Sequence, residues 1–193
     1  MTNHEKPETV VSLGTDYHPF DRLVSWIDEW LEHQPAPPSC LVQHGYSHPP
    51  HIAEGVTMVS HQEILDLYTS ASIVVVQGGP GSIFDALATG HIPIAVPRRA
   101  HLKEVVDDHQ VEFSRQLARQ GLAVIAETKE SLWAELEHAI CRPADFCTAP
   151  RPSGSHEAAL RLGRAIQDLQ DRPAGRVSLR RLGQLLGQHQ RPA

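Results

Sequence analysis

The chain has 193 residues, 40% of them hydrophobic and 21% charged, with a formal net charge of −6; this size suits one domain, or one domain with an appendage. No apolar run approaches the length of a membrane span, and the polar opening MTNHEKPET is no signal peptide. Cys40, Cys141 and Cys147 are odd in number and lack zinc or redox spacing, which argues against a disulfide framework and for a reducing, cytoplasmic setting. From Arg151 onward eight arginines face three acids, a net of +5, against −11 for the body. Bulk electrostatics therefore argue against nucleic acid as a partner of the body, whereas the tail suits an anionic surface.

Residues 9–13 read as a strand ending at Gly14-Thr15. In 19–33, Phe20, Leu23, Val24, Ile27, Trp30 and Leu31 share one stripe with Asp21, Arg22, Asp28 and Glu29 off it, which predicts an amphipathic helix with Pro19 at its first position. Trp26 lies off the stripe and is a candidate partner contact. QPAPPS is a linker, 40–44 a second strand, and HGYSHPPH the start of a loop. His44, His48 and His51 lack the matched spacing of a metal site, so a solvated loop is the preferred reading. Residues 56–59 form a third strand. Ser60 and Glu63 make a capping box for a helix carrying Ile64, Leu65, Leu67 and Tyr68.

The chain is organised around SIVVVQGGPGSIFDALATG, residues 72–90. It reads as a buried strand, a glycine turn and a helix capped by Ser82 and ended by Gly90. Gly78, Gly79 and Gly81 permit positive φ and a close approach of backbone to ligand. Free N–H groups at the following helix start would make an anion site, and Asp85 adds a carboxylate one turn later. The rest alternates: a strand at 92–96 stopped by Pro97, a loop at 98–106, a helix at 107–120 ended by Gly121, a strand at 122–126 and a helix capped by Thr128. Beyond Cys141 a Pro-rich linker leads to helical segments at 157–169 and 177–186, the second basic and amphipathic. Alternating strands and helices predict an α/β fold, a Rossmann-like doubly wound parallel sheet. Gly14, Thr15, Ser60, Gly79, Pro80, Gly81, Ser82 and Arg98 all fall at strand carboxyl ends, where such sheets bind ligands. GGPGS is not the GxGxxG fingerprint of dinucleotide oxidoreductases.

LGTDYHPFDRLVSWIDEW, QGGPGSIFDALATGHIPIAVPRR and DDHQVEFSRQLARQGLAVI together resemble the glycosyltransferase family 28 C-terminal domain. Its relatives include the donor-binding half of the peptidoglycan transferase MurG, the catalytic subunit of the bipartite lipid-linked N-acetylglucosaminyltransferase and PssE-type exopolysaccharide subunits. The resemblance implies a single half of the GT-B architecture with a C-terminal helical appendage: residues 1–141 as the donor domain, 142–193 as linker and basic tail. It implies a UDP-sugar as co-substrate, inverting transfer, and no metal or other cofactor. Gly79–Ser82, with Pro80 lacking a donor N–H, would hold the diphosphate; Asp85, shorter than the family's usual Glu, would take the ribose hydroxyls. Gly14 and Thr15 would lie near the phosphates and Ser60 near the base. His109 and Gln110 would face the donor sugar. Arg98 would add positive charge. One half-site cannot exclude water alone. The expected partner is therefore a membrane-attached acceptor-binding subunit holding a lipid-linked sugar, which would also supply the catalytic base and place the chain at the inner face of the plasma membrane. The alternative is a non-catalytic nucleotide- or partner-binding module.

Overall fold

Six parallel strands form one sheet in the order β3-β2-β1-β4-β5-β6 in a computed structural model that describes residues 6–151. The central strands are β-branched and buried: β1 (Thr9–Ser12), β2 (Cys40–Gln43), β4 (Ile73–Gln77) and β5 (Ile94–Val96). Burial on both faces is what a continuous apolar run requires of a parallel strand. The edges, β3 (Glu54–Val56) and β6 (Val124–Ile125), are shorter and more exposed.

Side chains alternate across the sheet. Val11, Val42, Val75, Ile94 and Val96 face α1 (Asp21–His33) and α5 (Lys129–Cys141). Val10, Val74, Val76 and Ala95 face α2 (His61–Ser70), α3 (Pro80–Ala88) and α4 (His109–Arg119). The sheet is thus doubly wound, as the alternation predicts, and strand order reverses between β1 and β4. α1 and α5 are joined by two indole bonds: Trp30 Nε1–H donates to Glu137 Oε1 (2.9 Å) and Trp133 Nε1–H to the Trp26 carbonyl (2.9 Å). Trp26 is half-buried, with the Arg22 guanidinium 4.6 Å above its ring, so it is less free for a partner than the stripe predicts.

Several expected boundaries shift. β3 occupies 54–56 instead of 56–59, because the exposed edge strand has no apolar run to mark it. α1 starts at Asp21 after Phe20, leaving Pro19 outside, and the Phe20 N–H donates to Ser47 Oγ (2.7 Å). Residues 142–151 pack on the domain instead of opening a linker. A 3-10 turn, Pro143–Phe146, buries Phe146; Ile92 N–H donates to the Phe146 carbonyl (2.8 Å) and Arg151 N–H to the Leu87 carbonyl (2.9 Å). The helices expected at 157–169 and 177–186 lie outside the described residues. Among the described residues no helix is long and apolar enough to cross a membrane.

Candidate functional site

A crevice of about 330 Å³ opens at the strand carboxyl ends where the order reverses. Its lining comes from four strand ends: Gly14 and Thr15 after β1, Gln43 of β2, Val59 and His61 after β3, and Gln77, Gly81, Ser82 and Asp85 at the β4–α3 turn. The floor is a polar network. Ser12 Oγ–H donates to Gln43 Oε1 (2.9 Å), while Gln43 Nε2 donates to the carbonyls of Gly14 (3.0 Å) and Thr57 (3.1 Å). One carboxamide thereby ties three strand ends together. Gly14 takes φ +75°, which requires glycine, and a Cβ there would also press on Gln77 Nε2 at 3.0 Å. Burial raises the pKa of the Tyr68 phenol at the crevice wall, so it remains a neutral hydrogen-bonding group.

The glycine turn is built differently from its sequence-based reading. Gly79 is the N-cap of α3 and Pro80 the first helical residue, where fixed φ is favourable and the missing N–H is least costly. Ser82 is therefore inside the first turn and does not cap it. None of Gly78, Gly79 and Gly81 has positive φ. Gly78 is needed for close packing instead: a Cβ would meet Ser114 Oγ at 2.6 Å and Pro97 Cα at 2.9 Å. The Gly79 N–H donates to Gln77 Oε1 (2.8 Å), and Gln77 Nε2 donates to Ser82 Oγ (3.2 Å). The N–H groups of Gly81 and Ser82 meet no acceptor among the described residues. They open the positive end of α3 toward the crevice, an arrangement suited to an anion.

Asp85 lies on α3 one turn beyond these N–H groups, its side chain 24% exposed. Of the other expected site residues, Gly14, Thr15, Gly81 and Ser82 join it in the crevice. Ser60 borders it, but its hydroxyl accepts from Glu63 N–H (3.2 Å) while its N–H donates to Glu63 Oε2 (2.8 Å): the expected capping box. Arg98 stands apart from the crevice. It is 1% exposed, and its guanidinium donates to the carbonyls of Leu13 (2.8 Å), His18 (2.6 Å) and Glu104 (2.9 Å). Its charge is spent on loop carbonyls and gives no free cation to a ligand. His109 and Gln110 begin α4, which the Ser114 Oγ–H bond to the Gly78 carbonyl (3.2 Å) holds beside the glycine turn. His109 is exposed and pairs with Asp107 (2.6 Å); Gln110 Oε1 is buried without a partner among the described residues.

The sequence reading missed Gln43, His61 and Gln77 as crevice residues. Each carried a signal: Gln43 and Gln77 are the polar ends of apolar strands, and His61 directly follows a helix cap. His61 Nε2 lies 3.1 Å from Asp85 Oδ1, which joins α2 to α3 across the crevice. No lysine or arginine lines the crevice among the described residues. Likewise, no group of three or more His, Cys, Asp or Glu among them is placed to hold a metal ion. His44, His48 and His51 are drawn apart: His44 Nδ1 meets the Ser47 carbonyl (3.0 Å), His48 approaches Asp21, and His51 N–H donates to Asp28 Oδ2 (2.7 Å).

Three solved structures share the fold at low identity. Acinetobacter baumannii MurG matches with a TM-score of 0.52 and 18% identity over 75% of this chain and 44% of its own. The glycotransferase of kitacinnamycin gives 0.54 and 18% over 75% and 38%. Methanocaldococcus jannaschii UDP-GlcNAc 2-epimerase, solved with UDP-GlcNAc and UDP, gives 0.53 and 13% over 81% and 45%. The chain thus spans less than half the length of each. Comparison with curated proteins finds no match. The model of the glycosyltransferase family 28 C-terminal domain matches residues 18–160, most of the chain, and the chain belongs to that family.

Proposed function

We propose that this chain is the donor-binding half of an inverting glycosyltransferase that takes a UDP-sugar and works with a separate acceptor-binding protein. The observation that carries the reading is the crevice itself: two unpartnered N–H groups at the start of α3 and the Asp85 carboxylate one turn beyond. The N–H groups suit the diphosphate, and the carboxylate suits a vicinal ribose diol, from which it accepts two hydrogen bonds. As the acceptor oxygen bonds to the anomeric carbon, the UDP leaving group takes the electron pair of the broken sugar–phosphate bond and is stabilised by fixed dipoles, with no metal required of the described residues. Gln110, whose amide oxygen is buried without a partner among the described residues, is assigned to the donor sugar together with His109.

The base for the acceptor hydroxyl is assigned to the partner, since the crevice carboxylate is engaged with the donor. The acceptor is a lipid-linked sugar of bacterial polysaccharide synthesis, and the partner holds the chain at the cytoplasmic membrane face. Support for a nucleotide-sugar ligand comes from family membership and from the epimerase, which has the same fold and was solved with UDP-GlcNAc and UDP.

A second reading has its own observation. Gln77 occupies the Gly79 N–H and Pro80 has none, so the cradle is poorer in donors than its glycines suggest. That favours a module that binds a nucleotide without turnover. Calorimetric titration with UDP, GDP, ADP and NAD tests the binding site. Selective UDP binding is expected, and Asp85→Ala should weaken it about 10-fold or more, the cost of losing charge-assisted hydrogen bonds. NAD binding, or equal UDP affinity in the variant, refutes the assignment. Sugar transfer on addition of the acceptor-side protein separates the enzyme from the binding module.

A further inference from the structure

We infer that His61 is a positioning residue for Asp85 and, through it, a determinant of ribose selectivity; this rests on the nucleotide-sugar reading above. Asp85 is the only carboxylate among the described residues lining the crevice, and His61 lies within ion-pair distance of it. Nε2 of His61 lies 3.1 Å from Asp85 Oδ1, within ion-pair reach of the carboxylate. That contact favours the carboxylate rotation that turns Oδ1 toward the imidazole. It leaves Oδ2 and the remaining lone pair of Oδ1 for a ligand.

The imidazole is itself held in place. His61 is the first residue of α2, and the reciprocal Ser60–Glu63 bonds fix the backbone at that point. Asp85 is likewise held on α3, whose inner face, Ile83, Ala86 and Leu87, is buried in the core. The two helices lie on the same side of the sheet, so the ion pair joins two packed elements across the crevice. Aspartate has one methylene fewer with which to search for a diol than glutamate has, so its orientation matters more. His61 supplies that orientation without entering the phosphate end of the crevice, which Gly81 and Ser82 form.

The test compares UDP with 2′-deoxy-UDP by calorimetry for the wild-type chain, His61→Ala and His61→Gln. The wild type should prefer UDP. His61→Ala should cut that preference about threefold, the scale of a largely exposed ion pair, by weakening UDP more than 2′-deoxy-UDP. His61→Gln restores an N–H donor of similar reach and should recover most of the preference. His61 is 70% exposed, so the fold should survive, and thermal midpoints check that. A preference unchanged in His61→Ala, or an equal loss of both ligands, overturns the inference. If Asp85→Ala still weakens UDP binding in that case, the nucleotide reading stands without it. Binding of neither ligand by the wild type overturns both.

Discussion

Replacing Arg98 with methionine should cost the domain about 3–5 kcal/mol, the usual loss when one partner of a buried charged network is removed. The structure gives the reason for this size. The guanidinium donates to three carbonyls on three segments: Leu13 at the end of β1, His18 before α1 and Glu104 before α4. It also sits 4.8 Å over the Phe20 ring. Burial lowers its pKa, while the Asp16 and Glu104 carboxylates act the other way, and arginine stays charged regardless. Methionine fills much of the volume but leaves those carbonyls without a donor. With a urea dependence of about 2 kcal/mol per molar, the midpoint should fall by about 2 M. Arg98→Lys should recover only part of this, since one ammonium cannot span three carbonyls in the guanidinium plane. Urea unfolding followed by tryptophan fluorescence reads the effect. A variant within about 1 kcal/mol of wild type that nonetheless loses UDP would refute the reasoning and return Arg98 to the ligand.

Two further outcomes follow from burial. His91 is 8% exposed, with Nε2 3.1 Å from the Ala71 carbonyl, and burial lowers its pKa. Its folded pKa is thus below the unfolded value of about 6.5, so its contribution is complete above that pH and is lost as pH falls toward the folded value. His91→Gln should flatten the decline in urea midpoint between pH 7 and pH 5; an unchanged slope would refute this. Cys40 is buried and its thiol is pushed up to about 12, whereas Cys141 and Cys147 are exposed. Iodoacetamide at pH 7.5 should add two groups to the native chain and a third only after unfolding, as read by mass spectrometry. Rapid native labelling of Cys40 would contradict its placement.

The centre of the sheet was legible because burial leaves a local signature: VVS, CLV and IVVV cannot face water on either side. The Ser60–Glu63 box was legible for the same reason, since both partners sit within one turn. β3 was misread because Glu54-Gly55-Val56 pairs with β2 but carries no apolar side-chain pattern to mark it. Asp85, Gly81 and Ser82 were readable from the strand–turn–helix unit. Arg98 was not, since an arginine after a strand looks the same whether it meets a ligand or three distant carbonyls. The His61–Asp85 ion pair depends on two helices that meet only after the sheet is assembled, and no spacing rule encodes that distance.

The paired indole bonds between α1 and α5 also bear on how the chain is made. Trp30 and Glu137, like Trp26 and Trp133, are 107 residues apart. At a synthesis rate of about 5–20 residues per second, Trp30 emerges about 5–20 seconds before its partner exists. Throughout that interval the stripe of α1, with Leu23, Ile27 and Trp30, has no α5 to cover its flank. The nascent domain must therefore carry an open apolar seam until all six strands of the sheet have been made. Closure of this seam is a late event, timed by the arrival of α5.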